Sequence, residues 1–104
     1  MLRALLAEFL GTFIFVSIIL FVTTMYPGNI VVPLIIGLGL ALAIYFALTT
    51  SLGSLNPAVT LALYARGDLP GTTAIMYVVA ELLGALFAFF LWRFMTAKKC
   101  HTSP

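Results

Sequence analysis

The stretch Thr49-Thr50-Ser51-Leu52-Gly53-Ser54-Leu55-Asn56-Pro57-Ala58-Val59-Thr60-Leu61-Ala62-Leu63-Tyr64-Ala65-Arg66-Gly67-Asp68 decides the fold. It begins in small and hydroxyl-bearing side chains. Asn56, a strong helix N-cap, then stands directly before Pro57, a residue favoured at the first helical position. A helix from Pro57 to Ala65 reaches roughly 13 Å at ~1.5 Å per residue, under half of a ~30 Å hydrocarbon core. The charged pair Arg66 and Asp68 closes it. The helix is well started and too short to span a bilayer.

Outward on both sides lie runs that are long enough. Residues 3–25 form one apolar stretch, ended by the turn Tyr26-Pro27-Gly28-Asn29. Residues 30–50 form a second, with Pro33 in its first turn, where the missing N–H is tolerated. Residues 72–95 form the third, with Thr72 as candidate N-cap and Trp92 and Arg93 suited to an interfacial exit. Residues 96–104 are polar and predicted to be a disordered tail. A short helix between two spans reads as re-entrant. Irregular backbone at membrane depth survives only when buried in protein or lining a water-filled cavity, so residues 51–55 predict a cavity.

Composition agrees with three spans. The chain has 104 residues, of which 63% are hydrophobic and 8% charged, and its mean hydropathy is +1.22. No soluble domain is so poor in surface charge. The apolar run Ala4 to Val22 exceeds the ~7–15-residue core of a signal peptide and precedes no small-residue cleavage site, which predicts a retained span. The net charge of +2 forms no basic stripe, which argues against nucleic acid as a partner. The single cysteine, Cys100, forms no internal disulfide framework and is expected as a free thiol on the tail.

Four segments in this order resemble the first repeat of the aquaporin and glyceroporin family, also called major intrinsic proteins. They are Ala7-Glu8-Phe9-Leu10-Gly11-Thr12, Gly37-Leu38-Gly39-Leu40-Ala41, Leu55-Asn56-Pro57-Ala58-Val59-Thr60, and Tyr77 with Ala80-Glu81 and Gly84-Ala85. The resemblance implies an all-α membrane protein of three transmembrane helices plus one re-entrant half-helix, a single half repeat over residues 1–95. Family members resemble two such halves, the second upside down, with their half-helices meeting at the bilayer centre. An antiparallel homodimer of this chain would rebuild the full pore, and family precedent implies a tetramer of such dimers in the cell (plasma or inner) membrane. Arg3, the α-amino group and Arg66 would lie on one face and Arg93, Lys98 and Lys99 on the other. That balance leaves orientation unbiased, as dual topology requires.

The expected function is passive passage of water and small neutral solutes such as glycerol, without enzymatic chemistry, metal or cofactor. The resemblance implies that Asn56, Pro57 and Ala58 line the pore, Asn56 donating a hydrogen bond to the permeant. It also implies that Glu8 and Glu81 are structural buried carboxylates accepting from N–H groups of the unwound loop. In the filter region Val59 follows Ala58 where the family's second repeat carries arginine. Ile36 holds the position resembling the filter aromatic, and Ser54 stands where many members carry histidine. Small residues at Gly39, Ala43 and Ala47, and along Ala74, Tyr77, Glu81, Gly84 and Ala88, mark faces for close helix packing, with Phe87, Phe89, Phe90 and Phe94 turned to lipid. Two other readings stay open. One is a small dual-topology proton-coupled transporter using Glu8 or Glu81, resembling the small multidrug resistance proteins. The other is a half-channel subunit that pairs with a different half.

Overall fold

The computed structural model describes the backbone of residues 1–101 and the side chains of residues 1–97. Four helices follow in order: α1 Leu2–Met25, α2 Val31–Ser51, α3 Pro57–Arg66 and α4 Gly71–His101. The segments Leu2–Met25, Val31–Ser51 and Gly71–Ala97 are each long and apolar enough to cross a membrane. The chain is an integral, multi-pass membrane protein.

Local chemistry sets the breaks. Between α1 and α2, Gly28 takes a positive φ of 73°, and the Asn29 side chain accepts from Val31 N–H at 2.9 Å. Asn56 caps α3 as the sequence requires, its Oδ1 accepting from Ala58 N–H at 2.8 Å with Pro57 at N1. At the other end Gly67 sits at φ 94°, and Asp68 N–H returns to the Leu63 carbonyl at 2.9 Å, a Schellman-type stop. Thr72 is not a cap, because α4 begins at Gly71 and Ala74 N–H already bonds the Pro70 carbonyl. The disordered tail expected from residue 96 is also corrected. Helix α4 runs through Ala97-Lys98-Lys99-Cys100 to His101, since polarity alone does not stop a helix and no Gly or Pro intervenes. Residues 102–104, and the side chain of Cys100, lie outside the described residues.

Helix α1 lies between α2 and α4, and α3 packs on α4. Small residues make the seams: Gly39, Ala43 and Ala47 are buried on α2, and Ala74, Ala80, Gly84 and Ala88 on α4. At Gly84 the approach is closest, because a Cβ there would stand 2.6 Å from the Phe9 carbonyl oxygen and 3.1 Å from Phe13 N. With no water to be buried from inside a bilayer, such helices associate by close contact of small residues, which is what these seams supply. The large apolar side chains, Leu34, Phe46 and Phe94 among them, point outward. Two further contacts tie α1 to α4. Phe9 meets Phe87 edge to face at 5.3 Å, and Trp92 Nε1–H donates to Thr24 Oγ1 at 2.9 Å.

Candidate functional site

The depth of the half-helix follows from its neighbours on α4. A Cβ on Gly71, the first residue of α4, would lie 3.4 Å from the Tyr64 ring, whereas Thr60 Oγ1 donates to Glu81 Oε2 at 2.8 Å. The half-helix therefore runs antiparallel to the first turns of α4. From Gly71 to Glu81 the axial rise is about 15 Å, half of a ~30 Å core. The N-terminus of α3, with Asn56, is held beside the middle part of the apolar Gly71–Ala97 segment.

What holds it there is a buried cluster. Glu8 of α1 accepts from Ser51 Oγ at 2.6 Å, Ser54 Oγ at 3.0 Å and Leu55 N–H at 2.8 Å. Glu81 of α4 accepts from Ser54 Oγ at 2.8 Å and Thr60 Oγ1 at 2.8 Å, and the two hydroxyls lie 2.7 Å apart. Glu8, Glu81, Ser51, Ser54 and Thr60 are all buried. Polar groups without water must find partners inside the protein, and here one carboxylate from α1 and one from α4 gather donors from α2, the loop and α3. All four helices meet in this one cluster.

The loop conformation depends on it. Leu55 is a non-glycine residue at φ 52°, a left-handed conformation that costs roughly 1–2 kcal/mol for a side chain of this kind. Its N–H is taken by Glu8 and its carbonyl by Thr12 Oγ1 at 3.2 Å. Its side chain, 2% exposed, lies over Gly11, where a Cβ would come within 2.5 Å of Leu55 Cδ2. Bonds on both sides and a fitted side chain keep the strained residue in place.

Sequence reasoning expected the carboxylates to take backbone N–H groups. Leu55 supplies the one such bond to Glu8, and the other donors are hydroxyls of Ser51, Ser54 and Thr60, none of them anticipated. The signal was their concentration around the half-helix start. Ser54, expected in the filter region, is buried between the two carboxylates instead. Asn56 and Ala58 are exposed and Pro57 is half-buried. Because capping occupies Asn56 Oδ1, the amide N–H groups are what Asn56 presents outward. Val59 is exposed and Ile36 half-buried, on helices α3 and α2 that make no close backbone approach. A mouth bounded by both is not closed within one chain.

The sequence profile described as "Major intrinsic protein" matches residues 1–103. Aquaporin AqpM of Methanothermobacter thermautotrophicus is 36% identical over 110 residues, covering 84% of this chain and 45% of that protein. Probable aquaporin TIP3-2 of Arabidopsis thaliana is 40% identical over 110 residues, covering 90% of this chain and 41% of the relative. The glycerol uptake facilitator protein of Haemophilus influenzae is 44% identical over 52 residues, half of this chain and 20% of its own length. The chain thus spans less than half the length of these relatives.

Proposed function

The chain belongs to the major intrinsic protein family, and from that premise we propose that it forms a passive transmembrane channel for water and small neutral solutes such as glycerol. What supports this reading is Asn56, its capping oxygen occupied and its amide donors turned outward, at the N-terminus of a half-helix bonded beside the middle part of the apolar Gly71–Ala97 segment. The positive end of the half-helix dipole and the Asn56 N–H groups favour the oxygen of a neutral permeant and repel cations.

The second half of the pore is supplied by a second copy in inverted orientation. This reading rests on the open side of α3, on the lack of close backbone contact between α2 and α3 within one chain, and on the similar positive charge carried at the two ends. In such a dimer two copies of Val59 and Ile36 bound the mouths. Without a filter arginine, an apolar mouth passes glycerol-sized solutes beside water. The proton-coupled reading is less well supported, because the described partners of Glu8 and Glu81 are the hydroxyls and the N–H that fix the loop.

Stopped-flow shrinkage of proteoliposomes tests conduction: osmotic water permeability well above that of protein-free vesicles is expected, and equality at verified insertion ends the channel reading. Labelling cysteines placed at each terminus from either side of the membrane tests the dimer. Both orientations are expected in equal shares, and a single orientation transfers the pore to a hetero-partner.

A further inference from the structure

Beyond the contacts that fix the loop, the cluster is short of hydrogen atoms. Glu81 is 0% exposed, and its Oε1 is buried with no hydrogen-bond partner among the described residues. The Ser54 hydroxyl, 3.0 Å from Glu8 Oε1 and 2.8 Å from Glu81 Oε2, nevertheless brings the two buried carboxyls side by side. Two carboxylates are both acceptors and cannot bond each other. A single proton on Glu81 converts its orphaned oxygen from an acceptor into a donor.

The hydroxyls lead to the same count. Ser54 Oγ stands 3.0 Å from Glu8 Oε1, 2.8 Å from Glu81 Oε2 and 2.7 Å from Thr60 Oγ1, while Thr60 Oγ1 stands 2.8 Å from Glu81 Oε2. Each hydroxyl brings one hydrogen, so the contacts outnumber the hydrogens available to fill them. Nor is there a cation to offset two negative charges. The salt bridge among the described residues is Arg66–Asp68, at the exposed end of α3. The titratable groups around Glu81 are Glu8 from α1 and the buried phenol of Tyr77 from its own helix. The loop, α2 and α3 contribute hydroxyls and one N–H. Like charges this close in an apolar interior do not both ionise.

We propose that Glu8 and Glu81 form a proton-binding site, in which one proton resides on Glu81, bonds toward Glu8, and stays with the folded chain at neutral pH. The proton comes from water as the chain folds and leaves the pair with one negative charge. The two acids then differ in role. Glu8 is the carboxylate that holds Ser51, Ser54 and Leu55, and Glu81 is the acid that links this arrangement to α4. The proposal does not depend on what the pore conducts.

Infrared spectroscopy of the full chain in lipid vesicles tests it. Glu8 and Glu81 are the only glutamates in the sequence, so labelling glutamate with ¹³C at the carboxyl marks this pair alone. At neutral pH a protonated-carboxyl C=O stretch is expected that shifts with the label and with transfer to D2O. In Glu81→Gln, with folding checked by circular dichroism, that band falls to baseline, because the amide supplies the donor the acid had supplied. Absence of a label-sensitive band in the folded wild-type chain overturns the proposal. So does an undiminished band in folded Glu81→Gln. Should the variant not fold, the labelled wild-type spectrum decides alone.

Discussion

Replacing Gly84 by alanine perturbs the tightest seam in the molecule. The new methyl would stand 2.6 Å from the Phe9 carbonyl oxygen and 3.1 Å from Phe13 N. Both are backbone atoms, so no side-chain rotation relieves the clash. Bringing 2.6 Å to an ordinary 3.4 Å contact requires α1 and α4 to part by about 0.8 Å. Overpacking of this kind costs about 1–3 kcal/mol. The separation also reaches Glu81, one turn away on the same helix. Its 2.8 Å bond to Ser54, a hydroxyl also held by Glu8 of α1, would stretch toward about 3.6 Å, beyond a hydrogen bond. Gly84→Ala is therefore expected to lower stability by about 1–3 kcal/mol and to loosen the half-helix, reducing osmotic permeability as well. Trp92, the single tryptophan, bridges α1 and α4, so its fluorescence during chemical unfolding in detergent reads the seam directly. Gly71→Ala is the control, because its methyl would meet the Tyr64 ring at an ordinary 3.4 Å. Stability of Gly84→Ala equal to that of Gly71→Ala would refute the reasoning.

Asn56→Asp keeps the capping oxygen and removes the amide donors, so helix content by circular dichroism should hold while water permeability falls severalfold; unchanged permeability would remove Asn56 from the conducting path. Trp92→Phe removes the 2.9 Å bond to Thr24 and should cost about 0.5–1.5 kcal/mol. Combined with Thr24→Val it should cost little more than either change alone, and full additivity in the double-mutant cycle would show that the bond does not form. Gly53→Ala places a side chain at φ 63°, 3.1 Å from Ile44 Cγ2 and 3.2 Å from the Ile44 carbonyl oxygen. It should destabilise by at least about 1–2 kcal/mol, measured by the unfolding midpoint.

The helices were legible because hydropathy and stop signals are local properties. Tyr26-Pro27-Gly28-Asn29 and Asn56-Pro57 each announce a boundary in the chain itself, and the helices begin or end within a residue or two of them. The buried carboxylates were legible too, since an acid inside an apolar run needs a partner. Their partners were not. Ser51, Ser54 and Thr60 reach Glu8 and Glu81 across separations of 21 to 46 residues, and no periodicity encodes such contacts. The placement of Ser54 was carried over from the histidine that many family members have there, and a resemblance in position says nothing about which way a loop side chain turns. The end of α4 was misread because polar residues were taken as a stop signal, although lysine and alanine favour helix.

The cluster has a consequence for how such a sequence varies over evolutionary time. Each of its bonds joins residues on different elements: Ser51 of α2 to Glu8 of α1, Thr60 of α3 to Glu81 of α4, and Ser54 of the loop to both acids. A change at any one position strands a polar group on another helix, and only a second change there restores the count of donors and acceptors. Across homologous half repeats, positions 8, 51, 54, 60 and 81 should therefore be inherited as a set, or replaced in concert, while the lipid-facing residues between them drift one at a time.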